Sequence, residues 1–225
     1  MCEEQQGCLS VSYSDSHHRV ICITGVLPNT ADKDYDKIDK LIFKLIRLDM
    51  EQAGKKPIIL VINGPGGDIE PLLAIRNTIN FIHSPVYTVT GGASSASAYL
   101  FILGKKGYRY IFRDSYLLLH LGKRSCPSPD RRVWQFWKKS HDNEIEKFIL
   151  RAENEQLAKL VLDRANAKEL LSRLGDWRDE NDSQKLTNGI LSLLETDQVF
   201  SAEEAVRCGL ADKIIGQEEF DMLFR

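Results

Sequence analysis

A serine stands at a point in the sequence where its hydroxyl could act as a nucleophile. Ser95 follows an apolar run at residues 85–90 and a glycine pair, and a stretch of small and apolar residues begins directly after it. A serine on a tight turn between a strand and a helix is exposed for attack, as acyl transfer requires. The neighbouring Ser94 and Ser97 are expected only to fill the contact between helix and sheet.

A second glycine-rich turn could supply the hydrogen-bond donors for the same reaction. The run Asn-Gly-Pro-Gly-Gly at residues 63–67 follows the apolar stretch 57–62, and Gly66 and Gly67 offer backbone N–H groups. Parallel strands end at the same edge of a sheet, so the two turns are expected to lie side by side. Donors at that edge stabilise the negative oxygen that forms when a peptide carbonyl is attacked.

The base is expected to be the histidine that ends a strand. His120 closes the apolar run 116–120, whereas His83 ends a helix. The remaining histidines, in polar or charged segments, are His17, His18 and His141. We therefore predict that His120 takes the proton from Ser95. Spacing alone leaves the acid that orients this histidine open between Asp114, Asp197 and Asp212.

The elements that must position these groups alternate between strands and helices. Apolar β-branched runs predict strands at residues 19–25, 57–62, 85–90, 108–112 and 116–120. Apolar residues at three- and four-residue steps predict helices over residues 30–53, 71–83 and 96–103. This alternation predicts an α/β core with a parallel sheet and right-handed crossovers.

The second half of the chain has a different character. A loop at 121–130 precedes a long charged helix over 131–167, whose apolar stripe packs either on its own domain or against another subunit. Residues 168–185 are polar and are interpreted as a flexible insertion, followed by a helix at 186–194. The pattern Ser-Ala-Glu-Glu at 201–204 predicts a capped helix that starts at Ala202, and a last strand is expected at 210–215.

Composition and charge exclude several classes of protein. The 225 residues are 43% hydrophobic and 28% charged with a net charge of −2, which is ordinary for a globular protein and lacks the basic excess of nucleic-acid binders. There is no run of about 18 apolar residues, so no membrane span is expected. Five cysteines without Cys-x-x-Cys spacing favour free thiols in a reducing, cytoplasmic setting, and no metal or organic cofactor is expected.

Four ordered motifs resemble the ClpP family of serine peptidases. They are the run at 63–67, the run Gly-Gly-Ala-Ser-Ser-Ala-Ser-Ala at 91–98, the strand that ends in His120, and the run from Glu195 to Lys213. The resemblance implies the ClpP/crotonase fold, a repeated β-β-α superhelical core from which a long handle helix projects. It also assigns Asp197 as the orienting acid.

By the same resemblance, Ser95 is the nucleophile and His120 the base, and the backbone N–H groups of Gly67 and Ala96 bind the oxyanion. The sequence departs from the family directly after two of these residues. Ala96 and Ser97 stand where methionine and glycine commonly follow the nucleophile, and Leu121-Gly122 replaces Gln-Pro after the histidine.

The resemblance further implies a domain layout and partners. One domain would consist of a mobile arm (1–18), a core (19–120 and 186–217), and the handle helix with its insertion (121–185). Copies would form a heptameric ring or stacked rings around an enclosed chamber. An AAA+ unfoldase would deliver peptides or unfolded proteins and use the ATP, because this sequence has no phosphate-binding Gly-x4-Gly-Lys-Ser/Thr loop.

Three other functions fit parts of the pattern. A crotonase-type acyl-CoA enzyme would share the fold and the paired N–H donors, but usually has carboxylates where Ser95 and His120 stand. A Ser–Lys enzyme of the signal-peptide-peptidase type would need a lysine as the base. A non-catalytic or partner-dependent subunit of a mixed ring would agree with the altered residues beside Ser95 and with the long insertion.

Overall fold

A curled sheet of nine strands, most of them parallel, lies at the centre of the part of the chain that the structure describes. The structure is a computed structural model and describes residues 8–13, 19–52, 55–123, 144–175 and 182–223. Helices pack against the sheet, so the predicted α/β class is confirmed. None of the described helices is long and apolar enough to cross a membrane.

The elements alternate along the chain much as the sequence pattern predicts. The strands are β1 (Ser10–Tyr13), β2 (Val20–Leu27), β3 (Ile58–Gly67), β4 (Val86–Thr90), β5 (Ala93–Ser94), β6 (Arg109–Phe112), β7 (Tyr116–Leu119), β8 (Gln198–Ser201) and β9 (Lys213–Ile215). The helices are α1 (Asp36–Gln52), α2 (Ile69–Phe81), α3 (Ser95–Ile102), α4 (Glu144–Arg164), α5 (Ala167–Leu171), α6 (Ser183–Leu194), α7 (Ala202–Arg207) and α8 (Gln217–Leu223).

Strand β3 connects the two parts of the sheet. The strand order is β8-β7-β5-β3-β4-β6-β9, and β2 pairs with both β3 and β1. The first residues of β3 pair with β4, whereas Gly64 pairs with Ala93 of β5. All pairs are parallel except β1 with β2 and β7 with β8. This path brings the glycines at the end of β3 to the junction between β5 and α3.

The hydrophobic core explains why α3 is so apolar. Every residue of α3 after Ser95 is buried, because this helix packs on β3 and β7 and is covered by α2 and α4. A smaller apolar cluster around Val20, Ile59 and Val89 is separate from this core and packs against Phe220 of α8. The sheet is therefore covered on both faces, as its nearly continuous apolar strands require.

One predicted turn is part of a strand. The Pro-Gly-Gly segment was expected to follow its strand, but β3 continues to Gly67 because Val26 and Leu27 pair with Gly66 and Gly67. A bulge between Thr24 and Val26 shifts the register of β2 at that point. The pairing holds both glycines in an extended segment instead of a free turn.

The ends of the predicted insertion and arm also differ from expectation. Within the predicted arm, Ser10–Tyr13 forms a strand that pairs antiparallel with β2. The polar segment after residue 167 begins with the short helix α5, which is capped by Asn166 and buries Leu170 and Leu171. Strand β8 lies in a stretch where the sequence pattern predicts no strand, whereas the capping box of Ser201 and Glu204 at the start of α7 is confirmed.

The long predicted helix is described only in its second part. Helix α4 is described from Glu144 onward, because the preceding residues 124–143 lie outside the described ranges. Most of the predicted loop at 121–130 and the arm residues 1–7 and 14–18 lie outside them as well. The helix ends at Arg164, close to the predicted boundary. The division into arm, core and handle stays a prediction.

Candidate active site

Ser95 occupies the junction between β5 and α3. Its φ of 52° is the one positive φ outside glycine among the described residues. This left-handed conformation is uncommon and strained for a residue with a side chain, and such strain concentrates at functional sites. The turn leaves Ser95 half-buried at the wall of a cavity.

Gly66 brings the end of β3 into contact with Ser95. A Cβ at Gly66 would lie 2.5 Å from the Cβ of Ser95 and 2.9 Å from the backbone N of Ala96. Any side chain at this position would therefore clash with the strand-to-helix junction. Gly67 follows with a φ of 134° and lines the same cavity as Ser95.

The glycine pair before Ser95 is held by side chains of the neighbouring strands. Asn63 accepts a hydrogen bond from the backbone N–H of Gly91 at 2.7 Å. The hydroxyl of Thr90 accepts one from Gly92 at 3.0 Å and donates to the carbonyl of Ile62 at 2.7 Å. These bonds tie the turn to β3, and so fix the approach of the chain to Ser95.

His120 lies beside Ser95 because their strands end together. In the parallel pair of β5 and β7, Ser94 is opposite Leu118, and His120 follows the last residue of β7. Tyr99 of α3 donates a hydrogen bond of 2.9 Å to the carbonyl of His120. Burial raises the pKa of Tyr99, which is 1% exposed, so its hydroxyl stays a donor.

The imidazole of His120 is held by the chain next to it. Its Nδ1 lies 2.7 Å from the carbonyl oxygen of Leu121, and the N–H of Leu121 donates to the carbonyl of Leu194 at 2.9 Å. A ring nitrogen that faces a carbonyl oxygen must carry the proton. The other nitrogen, Nε2, is then the acceptor when the ring is neutral, which is the tautomer that a general base needs.

The register of β7 and β8 puts Asp197 opposite His120 in the backbone, one step beyond the last paired residues. Leu119 pairs with Gln198 in the antiparallel ladder of β7 and β8, so the next pair in this register is His120 with Asp197. The Asp197 side chain is exposed and is not part of the cavity wall. Within the described residues no hydrogen bond joins His120 to Asp197 or to Ser95.

The competing candidates from the sequence lie elsewhere. Asp212 is bound by Arg109, whose Nε and Nη2 donate to its two oxygens at 2.9 and 2.7 Å. Asp114 is exposed in the turn before β7. His83 is exposed at the end of α2, with its Nδ1 3.4 Å from Asp49. None of these residues lines the cavity at Ser95.

The cavity at Ser95, here called the Ser95 cavity, has a volume of about 310 Å³. It is lined by Gly67, Asp68, Ile69, Ser95, His120, Gly122, Lys123, Leu150 and Glu153. The last two belong to α4, so the long helix forms part of the wall. No group of three or more histidine, cysteine or acidic side chains in the described ranges could hold a metal ion.

Several residues of the site were not found from the sequence. Tyr99 stands four residues after Ser95 on an apolar helix, where a polar hydroxyl is a weak indication of a nearby acceptor. Glu153 and Asn154 belong to a charged helical segment with no motif that marks them. Their place beside the cavity depends on how α4 packs, which one sequence does not reveal.

The family model described as Clp protease matches residues 16–147, more than half of the chain. The chain belongs to the Clp protease family. It is 33% identical over 179 residues to the ATP-dependent Clp protease proteolytic subunit 3 of Synechococcus sp. (strain CC9605). The matched region covers 79% of this chain and 75% of that protein. The corresponding subunit of Parasynechococcus marenigrum (strain WH8102) is 34% identical over the same shares.

A shorter match has higher identity. The ATP-dependent Clp protease proteolytic subunit of Carsonella ruddii (strain PV) is 38% identical over 103 residues, which is 45% of this chain and 49% of that protein. The match thus spans about half the length of that relative. The resemblance seen in the motifs is confirmed, and by family this chain is a serine peptidase.

Proposed function

We propose that this protein is an endopeptidase subunit of Clp type that cleaves peptide bonds through an acyl-enzyme on Ser95. The observation that carries the proposal is the junction at Ser95. A serine in a left-handed turn lies on one cavity with a histidine at a strand end and with the Gly-Gly segment of β3. Nucleophile, base and N–H donors are the three groups that acyl transfer needs.

His120 acts as general base and then as general acid. In the tautomer with the proton on Nδ1, Nε2 accepts the proton of the Ser95 hydroxyl as its oxygen attacks the peptide carbonyl. The same nitrogen then gives that proton to the leaving amine. Water then gives a proton to Nε2 of His120 as its oxygen attacks the acyl carbon. The ester bond to Ser95 breaks, His120 returns the proton to the Ser95 oxygen, and the second product leaves as the carboxylic acid.

The backbone N–H groups of Gly67 and Ala96 bind the oxyanion. Gly67 lines the cavity, and Gly66 lies against the backbone of Ala96, so the two donors belong to segments in contact. Removal of one such donor typically costs about 3 kcal/mol of transition-state stabilisation. Because backbone groups are the donors, the unusual Ala96 after the nucleophile leaves this role intact.

Asp197 completes the triad by accepting from Nδ1 of His120. The proposal is supported by the register of β7 and β8, in which Asp197 is the next residue opposite His120. It requires the imidazole to leave the carbonyl of Leu121, which accepts from Nδ1 in this structure. A carboxylate there would favour the imidazolium that forms as Ser95 attacks.

The active protein is an assembly that works with a partner. The relatives' names describe subunits of an ATP-dependent protease, and this sequence has no phosphate-binding loop of its own. Copies of the chain therefore form a ring or stacked rings around a chamber. An AAA+ unfoldase uses ATP to feed unfolded protein into it, and the expected location is the cytoplasm.

A labelling experiment tests the assignment of Ser95. A fluorophosphonate should form one adduct on Ser95 of the folded wild-type protein, found by intact mass and peptide mapping. Ser95→Ala should lose the adduct and all peptidase activity while it keeps the thermal stability and the oligomer mass. His120→Ala should slow labelling by at least about 100-fold, because an unassisted hydroxyl is a weak nucleophile.

The exposed Ser192 on α6 supplies the matched control, since Ser192→Ala should change neither labelling nor turnover. Peptidase activity that persists in pure Ser95→Ala protein contradicts the proposal. The absence of any adduct on folded wild-type protein also contradicts it for this chain alone, and favours a non-catalytic or partner-dependent ring subunit.

A further inference from the structure

A buried carboxyl group lies in the wall of the Ser95 cavity and has no part in the proposed reaction. Glu153 is only 8% exposed, and it lies on α4 three residues after Leu150, which lines the same cavity. Residues three apart share one face of a helix. This face of α4 therefore contributes an apolar residue and an acidic residue together to the wall of the Ser95 cavity.

The position of this face is fixed relative to His120. Next to Glu153, the side-chain amide of Asn154 accepts from the N–H of Gly122 at 2.8 Å and donates to its carbonyl at 3.2 Å. Gly122 follows His120 by two residues and also lines the cavity. The paired hydrogen bonds prevent α4 from sliding past the chain after the base, so Glu153 keeps its place beside Ser95 and His120.

We infer that Glu153 makes the Ser95 cavity selective for substrates with lysine or arginine next to the scissile bond. The inference rests on the proposed peptidase function and names its substrate class. Ile69 and Leu150 would contact the aliphatic stem of such a side chain, and the carboxylate of Glu153 would receive its ammonium or guanidinium group.

The charges of the wall agree with this selectivity. Asp68 is a second carboxylate of the cavity, whereas the one lysine among the lining residues, Lys123, is exposed to solvent. Glu153 already makes contacts in the resting protein, and a substrate cation would join or replace them. A substrate with leucine next to the scissile bond would instead place hydrocarbon against the Glu153 carboxylate, which is unfavourable.

The test measures kcat/KM on peptides that differ only in the residue before the scissile bond. Arginine and lysine peptides should be cleaved faster than leucine and glutamine peptides by the wild-type protein. Glu153→Gln, which keeps the shape but removes the charge, should lower the arginine-to-leucine ratio by about 10- to 100-fold, the range for a hydrogen bond to a charged group. Glu153→Leu should reverse the preference, and Glu153→Asp should keep most of it.

The matched control is the half-buried Glu155, which lies on the same helix outside the cavity wall. Glu155→Gln removes the same charge and should leave the ratio unchanged. A wild-type protein that cleaves leucine peptides as fast as arginine peptides overturns the inference, even if the Glu153 variants do not fold. An equal loss for all peptides in Glu153→Gln also overturns it, because that result indicates a structural role.

Labelling by a fluorophosphonate separates this result from failure of the proposed function. A protein whose Ser95 is labelled but which shows no basic preference refutes only the selectivity. A folded protein whose Ser95 is not labelled refutes the peptidase function, and the selectivity with it. The rate of labelling by arginine and leucine peptidyl phosphonates adds a readout that needs no turnover, and it should show the same preference.

Discussion

Two acceptors compete for one nitrogen of His120. The carbonyl of Leu121 holds Nδ1 in this structure at 2.7 Å, while Asp197 is the next residue in the pairing of β7 with β8. Both acceptors select the same tautomer of the neutral ring. Only the carboxylate also provides a full negative charge against the imidazolium that forms during attack, so the two acceptors differ in how much they stabilise the transition state.

Replacement of Asp197 distinguishes the two acceptors. We expect Asp197→Asn to lower kcat by about 100- to 10,000-fold, because the charge that stabilises the imidazolium is lost. The measurement is single-turnover acylation by a peptide ester at saturating concentration. The exposed Asp114 gives the control, since Asp114→Asn should leave the rate unchanged. A loss of less than 10-fold in Asp197→Asn would instead assign the orienting role to the carbonyl of Leu121.

Local sequence patterns mark the site residues that were predicted, whereas the site residues that were missed are placed by contacts between distant segments. Ser95 and His120 stand at the ends of apolar runs, where strand patterns and glycines give their place in a parallel sheet. Tyr99 and Glu153 reach the site from helices, through contacts between segments far apart in the chain. No local pattern encodes such contacts, and spacing alone did not separate Asp197 from Asp212.

The strands and helices in the first half of the chain were predictable because the apolar residues of each element form the face that it buries. The extension of β3 through its glycines was not, because it depends on pairing with Val26 and Leu27 across a bulge. Glycine and proline usually mark turns, but here a neighbouring strand supplies the hydrogen bonds that keep the segment extended. The same dependence on a partner explains why β1 and β8 were missed.

One ion pair joins three elements far from the cavity. Arg109 at the start of β6 is 2% exposed, and it binds Asp212 just before β9 and the carbonyl of Arg164 at the end of α4. Burial acts to raise the pKa of Asp212, but the hydrogen bonds and charge of Arg109 and the N–H of Gly107 outweigh it. The pKa of Asp212 therefore lies below its ordinary value of 3.8.

The lowered pKa of Asp212 predicts a dependence of stability on pH. A carboxyl whose pKa is lower in the folded state contributes stability above its unfolded value, near 3.8, and this stability is lost as the pH falls through the lower folded value. Asp212→Asn should lower the free energy of unfolding at pH 7 by about 2–4 kcal/mol, because the buried Arg109 loses its counter-charge.

Urea unfolding of wild-type and Asp212→Asn protein at pH 7 and pH 3 measures this effect. The difference between the two proteins should shrink at the lower pH, where the wild-type carboxylate begins to take up a proton. The exposed pair of Asp36 and Lys40 offers a control, since Asp36→Asn should change the unfolding midpoint little. Equal stability of Asp212→Asn and the wild type at pH 7 would show that the ion pair does not stabilise the fold.

For the molecule as a whole, the described part of helix α4 has features of both predicted roles: packing on its own domain and contact with another subunit. Its second half packs on the protein's own core, where Leu157, Ala158, Leu160 and Val161 are buried. Its first half leaves Phe148 71% exposed, next to the partly exposed Ile149. An exposed apolar pair on a long helix is unfavourable in water and is typical of a surface that another subunit covers.

Assembly should therefore depend on the first half of α4. Phe148→Glu places a charge on that surface and should shift the native mass from a multiple of the 25.6 kDa chain toward smaller species, with the circular dichroism of the fold retained. Met50 at the end of α1 is 77% exposed, and Met50→Glu is the matched control that should leave the mass unchanged. Analytical ultracentrifugation at several protein concentrations gives the readout. If Phe148→Glu assembles like the wild type while Met50→Glu does not, the subunit contact lies on α1. In that case the exposed half of α4 contributes only to the Ser95 cavity of its own protomer.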